Sequence, residues 1–199
     1  MPLFNGKYRT ESNRMPGWDY SRNGYYFITP VVLGFHCYFG IIKNGEMILS
    51  EMGKIANDER HKSFEIRHEL ILDEYILMPN HLHAIIIIKN PDNEKKSGES
   101  GESPESKSPH AKFHRPPKSI SSFMASFKSA STSKIDDYID DKNLAIKKFT
   151  KQNRLWQMNY HDHIIRSDDE YRRIKNYIKN NPENWDEDKL KIINQQNPR

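Results

Sequence analysis

Two histidines one residue apart, in Met78-Pro79-Asn80-His81-Leu82-His83-Ala84-Ile85, are the side chains of this sequence best suited by type and spacing to chemistry. Along a β-strand, side chains two apart leave the same face, so His81 and His83 present two imidazoles side by side. That spacing suits two cis ligands of one divalent metal ion. Their face continues as Ile85 and Ile87, which puts the histidines at the end of a buried stripe where a neutral imidazole needs a partner. Two satisfied core or surface histidines fit the same pattern, and both readings stand at this point. A second pair, His161 and His163, has more polar neighbours and reads as hydrogen-bonded core or as a phosphate contact.

The other notable run is Glu170-Tyr171-Arg172-Arg173-Ile174-Lys175-Asn176-Tyr177-Ile178-Lys179-Asn180-Asn181-Pro182. On a helix Tyr171, Ile174 and Ile178 form one apolar stripe with Tyr177 beside it, and Asn181 shares the face of Tyr177 at i+4. A tyrosine with an amide one turn away is ordinary at a core boundary. Facing a metal held by two histidines, the same pair would be a nucleophile and a third oxygen ligand.

The elements that must position these groups follow from periodicity. Tyr25 to Leu33 is rich in β-branched and aromatic residues and reads as a strand, with Pro30 suggesting an edge or a bulge. Phe39 to Lys43 and Glu46 to Leu49 flank Asn44-Gly45, the dipeptide of a type I′ hairpin turn. A helix is expected from about 50 to 66. Residues 70–89 hold two strand-like stretches or one long bent strand, ending in a run apolar on both faces that predicts a central strand. Ile120, Phe123, Met124, Phe127 and Ala130 fall at helical spacing. Leu155 to Gln157 and Tyr160 to Arg166 suggest a further strand, and Ser167 with Glu170 is a capping box opening a helix that runs to about Asn180, with Pro182 helping to end it. This order predicts an α+β fold, an antiparallel sheet with helices on its faces.

The chain has 199 residues, with 35% hydrophobic and 29% charged side chains and a mean hydropathy of -0.91. One core is expected, with part of the length heavily solvated. Residues from about 91 to 118 contain Ser, Glu, Lys, Gly and Pro with little to bury and read as a disordered insertion within a single domain spanning 1–199. Residues 186–199 read as a flexible tail. Cys37 is the single cysteine, which excludes an internal disulfide and a multi-thiolate zinc site; it is expected to be a buried small apolar residue. Nothing approaches the roughly 18 apolar residues of a membrane span, and the start lacks a secretory signal, so no membrane partner is expected. Net charge is +4. That balance permits a polyanionic partner without requiring one.

PGWDY at 16–20, GYYF at 24–27, FGIIKNGEM at 39–47, MPNHLH at 78–83, SFKS at 126–129, WQ at 156–157, YHDHIIR at 160–166 and EYRRIKNYIKNNP at 170–182 together resemble the REP-associated tyrosine transposases, small single-tyrosine HUH transposases related to those of certain bacterial insertion sequences. The resemblance covers nearly the whole chain except 91–118 and the last dozen residues. It implies a ferredoxin-like α+β fold, the HUH endonuclease fold, with His81 and His83 as the HUH histidines and Tyr177 as the nucleophile. Relatives from insertion sequences often carry a glutamine four residues after the tyrosine as a metal ligand; here Asn181 occupies that position, with a shorter reach.

The activity so implied is metal-dependent cleavage and rejoining of single-stranded DNA through a 5′-phosphotyrosine, with Mg²⁺ or Mn²⁺ as cofactor and single-stranded or hairpin DNA as partner, in the bacterial cytoplasm or on the nucleoid. Arg115, Lys118, Lys128, Arg154, Arg166, Arg172 and Arg173 are the candidate phosphate contacts around one active-site mouth. A domesticated protein that binds DNA hairpins without transposing is the alternative, and a His-x-His metal hydrolase using water is a third reading. Monomer and homodimer are both compatible with the sequence. Because closure entropy changes slowly with loop length, deleting about 92–112 is expected to leave a folded, active protein. A collapsed thermal transition on deletion would show that the segment packs against the core.

Overall fold

Every residue from Leu82 to Ile88 is buried, which requires a strand covered on both faces and paired along both edges. The computed structural model describes residues 18–91 and 116–191, together with the backbone of two short paired strands, β1 (Leu3–Phe4) and β2 (Tyr8–Arg9). The main sheet contains β3 (Gly24–Thr29), β6 (Leu70–Leu77), β7 (Leu82–Ile88) and β8 (His161–Ile165), in the order β6-β7-β3-β8 with all neighbours antiparallel. Helix α1 (Glu51–Glu65) follows β3, α2 (Ile120–Asp141) follows β7, and α3 (Asp168–Asn180) follows β8. Counted among themselves the sheet strands run 4-1-3-2, the ferredoxin-like order expected. β4 (Gly40–Lys43) and β5 (Glu46–Leu49) form a separate two-stranded sheet across Asn44 and Gly45, both at positive φ as a type I′ turn demands.

Alternation along the strands divides the core in two. Tyr26, Ile28, Leu82, Ala84, Ile86, Ile88 and Ile164 pack with Met52 and Ala56 of α1 and with Ile120, Phe123 and Phe127 of α2. The opposite face carries a smaller cluster, Phe27, Ile85 and Ile165 against Ile174 and Ile178 of α3. No helix among the described residues is long and apolar enough to cross a membrane.

Three expectations are corrected. β3 is an internal strand, and Pro30 stands just beyond its end, where its missing N–H costs no ladder bond and its carbonyl accepts from Leu82 N at 3.1 Å. Cys37 is exposed, because it follows the turn Leu33–Phe35 on a surface loop rather than a strand. Residues 186–191 pack against the body of the protein. Trp185–Glu187 form a 3₁₀ turn, Trp185 is buried, and Leu190 O accepts from Asn80 Nδ2 at 2.8 Å. The last three residues of the insertion's expected span, 116–118, lead directly into the capping box of Ser119. Residues 92–115, and 192–199 of the expected tail, lie outside the described residues.

What seats α3 is a defect in the edge strand. The register of β6 slips between Leu72 and Glu74, and the bulged residue, Asp73, accepts from Tyr171 Oη at 2.8 Å and from Lys175 Nζ at 3.1 Å. Bulges re-aim side chains in this way. Lys175 is in turn held well above the usual lysine range, chiefly by its bond to Tyr171 and then by Asp73. Asp73→Ala is expected to lower unfolding free energy by about 1–3 kcal/mol by leaving two partners unsatisfied, measured by urea denaturation. An unchanged midpoint would show that the apolar stripe alone docks the helix.

Candidate active site

The face of the sheet under α3 is where the strand period places Thr29, His83 and His161, around Phe27. Thr29 pairs with His161 in the β3–β8 register, and Phe27 stacks on His83 with ring centres 5.4 Å apart. His81 precedes β7 on an isolated bridge to Val31. His81 and His83 are 0% and 3% exposed, and their Nε2 atoms lie 3.0 Å apart. Burial lowers the pKa of His81 to about 3 and that of His83 well below the usual histidine value. Both imidazoles are therefore neutral, and the 3.8 Å approach of Asp188 Oδ2 to His81 Nε2 is not an ion pair.

Partners on the outer nitrogens orient both rings. Asn80, fully buried, donates from Nδ2 to Phe35 O at 3.1 Å and to Leu190 O at 2.8 Å. Its Oδ1 therefore faces His81 Nδ1 at 2.8 Å, which must carry the proton and leave the Nε2 lone pair free. His83 Nδ1 lies 2.8 Å from Thr29 Oγ1, a hydroxyl that can donate or accept. Two bare nitrogens at 3.0 Å repel, so the metal-free pair is relieved when His83 Nε2 holds a proton and Thr29 donates to Nδ1. The reverse tautomer frees both Nε2 lone pairs for one ion. Such fixing of the outer nitrogen is how proteins aim histidine ligands.

The chemistry of the donor set fits a divalent cation. Two nitrogens each about 2.1 Å from one ion at a right angle lie about 3.0 Å apart, the separation found here. Ligand atoms of His81, His83 and Asp188 all fall within 4.8 Å of one another. Asn181 Oδ1 and Asp188 Oδ2 are buried without a hydrogen-bond partner, and buried oxygens in that state call for an ion or water. Two imidazoles with oxygens suit Mn²⁺ and similar ions by softness.

Tyr177 projects from α3 beside this cluster. Its Oη is 3.1 Å from His83 Nε2, and the side chain remains 46% exposed. Burial of the phenol, then the negative charge of Asp188, raises its pKa, while the Asn181 amide opposes the shift. Phe27, His83, Tyr177, Asn181 and Asp188 line one open cavity of about 760 Å³.

The structure thus brings together His81, His83, Tyr177 and Asn181. Asp188 is the residue that sequence reasoning missed. It lies in an acidic stretch with no motif, and only the 3₁₀ turn at 185–187 and the Asn80–Leu190 bond carry it to the histidines. Among the candidate phosphate contacts Arg173 lines the cavity. Arg172 pairs with Asp169, Arg154 donates to Lys151 O, and Arg166 N donates to Glu170. Lys128 is engaged by the carbonyls of Gln157, Met158 and Asn159. Lys118 sits at positive φ immediately before the cap of α2, and Arg115 lies outside the described residues. In the second histidine pair, His161 lines the cavity and His163 bonds Glu170 at 2.7 Å. Glu170 serves the cap of α3 through Arg166 N rather than Ser167 N, so the expected capping box closes one residue early.

Neutral buried histidines make stability depend on pH. The unfolded chain takes up protons at both histidines below about pH 6.5, whereas folded His81 resists to about pH 3. The unfolded state then binds more protons, so metal-free stability falls as pH drops through this window, by up to about 1.4 kcal/mol per unit for each histidine. Urea midpoints between pH 7 and 4.5 are expected to fall more steeply for the wild type than for His81→Asn/His83→Asn. Equal slopes would mean that these imidazoles are solvated in the folded protein.

Comparison with known proteins agrees with the architecture. No family model matches the chain. An uncharacterised protein of Haemophilus influenzae is 29% identical over 187 residues, covering 94% of this chain and 96% of its own. A solved REP-associated tyrosine transposase bound to a REP hairpin aligns with a TM-score of 0.51 at 17% identity, over 84% of this chain and 72% of its own. A candidate transposase from Deinococcus radiodurans aligns at a TM-score of 0.42 and 15% identity, over 84% and 97%. The chain has the fold of that REP-associated tyrosine transposase, an antiparallel sheet with helices on both faces.

Proposed function

We propose that this chain is a metal-dependent single-stranded DNA endonuclease and strand transferase that works through a 5′-phosphotyrosine on Tyr177. The observation that carries the reading is the phenol oxygen of Tyr177 standing 3.1 Å from a histidine nitrogen that is itself 3.0 Å from a second one. A water-using hydrolase has no need of that tyrosine, and a pure DNA binder has no need of the paired neutral imidazoles. The fold shared with a transposase solved on a REP hairpin supports hairpin-forming DNA as the partner.

In this reading His81 and His83, with Asp188 or Asn181, would hold a divalent cation, which would supply Lewis-acid polarisation of the scissile phosphate and positive charge to offset charge developing in the transition state. Burial keeps the imidazoles neutral, and Asn80 and Thr29 keep them aimed. Ile174 and Ile178 fix α3 so that Tyr177 points into the cleft while its exposed edge admits the strand. The phenol oxygen forms the new bond to phosphorus and loses its proton. The bond from phosphorus to the 3′ oxygen breaks, and that oxygen gains a proton. Reversal on another 3′ hydroxyl rejoins strands without ATP, because the covalent intermediate conserves the phosphodiester bond. Arg173 at the cavity edge is the placed candidate for a backbone phosphate contact.

Tyr177→Phe is expected to abolish the covalent protein–DNA adduct formed with Mn²⁺ while leaving binding nearly unchanged, read on denaturing gels and by mass spectrometry. An adduct on Tyr171 or Tyr160 would overturn the assignment. His81→Ala/His83→Ala is expected to remove Mn²⁺ binding in calorimetry. Asp188→Asn should weaken it by about tenfold or more if the carboxylate is a ligand, and comparison with Asn181→Ala identifies the third ligand.

A further inference from the structure

Strand cleavage ends with a proton on the leaving 3′ oxygen, and neither the histidine pair nor Tyr177 supplies it. We propose that His161 is the general acid that protonates this oxygen and, in the joining direction, the base that takes the proton of the attacking 3′ hydroxyl. The assignment rests on the DNA-cleaving reading above and deepens it.

Position is the first observation. Thr29 Oγ1 meets His83 Nδ1 at 2.8 Å on one side, and His161 is the register partner of Thr29 on the other, so one row across the sheet reads His83, Thr29, His161. Neighbouring strands stand about 4.8 Å apart, which separates the backbones of the two histidines by roughly 10 Å. Tyr177 Oη is at the His83 end, 3.1 Å from its Nε2. The Phe27 ring lies between, its centre 5.4 Å from that of His83 and 6.3 Å from those of His161 and Tyr177, and it offers no proton. In phosphoryl transfer the attacking and leaving oxygens lie roughly in line across phosphorus. A phosphate attacked by Tyr177 at the His83 end therefore turns its leaving oxygen toward the His161 end.

Availability is the second. His161 is exposed, lines the cavity and makes no hydrogen bond among the described residues, whereas His163 is bonded to Glu170. The other groups around the cavity are placed for different tasks. Arg173 does not release its protons, Tyr160 packs against the large core and the Lys128 ammonium, and Glu187, Asp188 and Lys189 run consecutively on the tail that approaches His81. Imidazole is the side chain best suited to giving and taking one proton near neutral pH. In cleavage the phenol oxygen bonds to phosphorus and its proton leaves to solvent at the exposed edge of Tyr177. The bond from phosphorus to the 3′ oxygen breaks with its electron pair on oxygen, and the His161 imidazolium passes a proton to that oxygen and becomes neutral. Joining reverses each transfer.

The test begins with the full chain, Mn²⁺ and a randomised single-stranded DNA pool, from which the covalent adducts and released 3′-hydroxyl fragments are sequenced to locate the cleaved link. Oligonucleotides of that sequence are then made with oxygen or sulfur as the bridging 3′ atom, because a thiolate leaves without being protonated. His161→Asn and His161→Gln are expected to slow adduct formation on the oxygen substrate by about 100-fold or more and to stay within roughly threefold of the wild type on the sulfur substrate. A side chain that only shapes the site slows both substrates alike. An undiminished rate on oxygen, or a loss that sulfur does not restore, overturns the assignment. Rescue by sulfur in Lys189→Met in place of the His161 variants overturns it too. Absence of any wild-type adduct overturns the cleavage reading and the assignment with it, whereas an active wild type with unrescued His161 variants overturns the assignment alone.

Discussion

Two neutral imidazoles held nose to nose in a dry sheet face are the constraint on which the rest of this molecule depends. Desolvation keeps His81 and His83 uncharged, and at 3.0 Å their lone pairs repel unless a proton or a cation sits between them. The surrounding structure can be read as the apparatus that tolerates this arrangement. Phe27 stacks on one ring, Thr29 accepts or donates as the tautomer requires, and Asn80 fixes the other ring. Phe27 and Thr29 come from β3 and Asn80 from the turn before β7, so the histidine pair exists only when β3, β7 and that turn are assembled.

The same constraint explains the asymmetry of the two cores. The large cluster under α1 and α2 takes the aromatic bulk and supplies most of the burial. The small cluster under α3 has only Phe27, Ile85, Ile165, Ile174 and Ile178, because polar chemistry occupies the remainder of that face. α3 is correspondingly held by polar devices as well as apolar ones, with the bulged Asp73 gripping Tyr171 and Lys175. That division leaves Tyr177 half in solvent and half against His83, a placement that suits the role proposed for it.

Charge is distributed with the same logic. Asp188 and Asn181 bring unpartnered buried oxygens to the nitrogens, and a buried carboxylate beside neutral imidazoles is costly unless a cation compensates it. Lys128 organises a loop, Arg172 answers Asp169 and Arg173 alone of the described arginines lines the cavity. A basic residue in a sequence is a charge without an address, and neighbouring carbonyls and carboxylates claim it before any ligand does.

Much was legible in the residues. A run apolar on both faces, an Asn-Gly turn, capping residues and helical spacing are local signals, and they yield the hairpin, the three helices and the buried strand. The shared face of His81 and His83 and the pairing of Tyr177 with Asn181 were legible because strand and helix periods are set by backbone geometry, which makes spacing a statement about faces, while the roles expected of them came from the resemblance to the transposases. Local signals failed where the neighbour in space is far in sequence. Pro30 said edge, yet the strand ends just before it. Cys37 said core, and a turn put it outside. Residues 186–191 are polar enough to read as a tail, and the Asn80 side chain, fully buried and bonded across more than a hundred residues, draws that segment to the histidines. Asp188 carries no spacing signal because its position is set by that long-range bond. The sequence by itself therefore determined which side chains share a face, through the fixed periods of strand and helix. The tertiary structure alone decided which faces meet and which carboxylate joins them, since burying a polar group is tolerated only where the assembled chain supplies its partner.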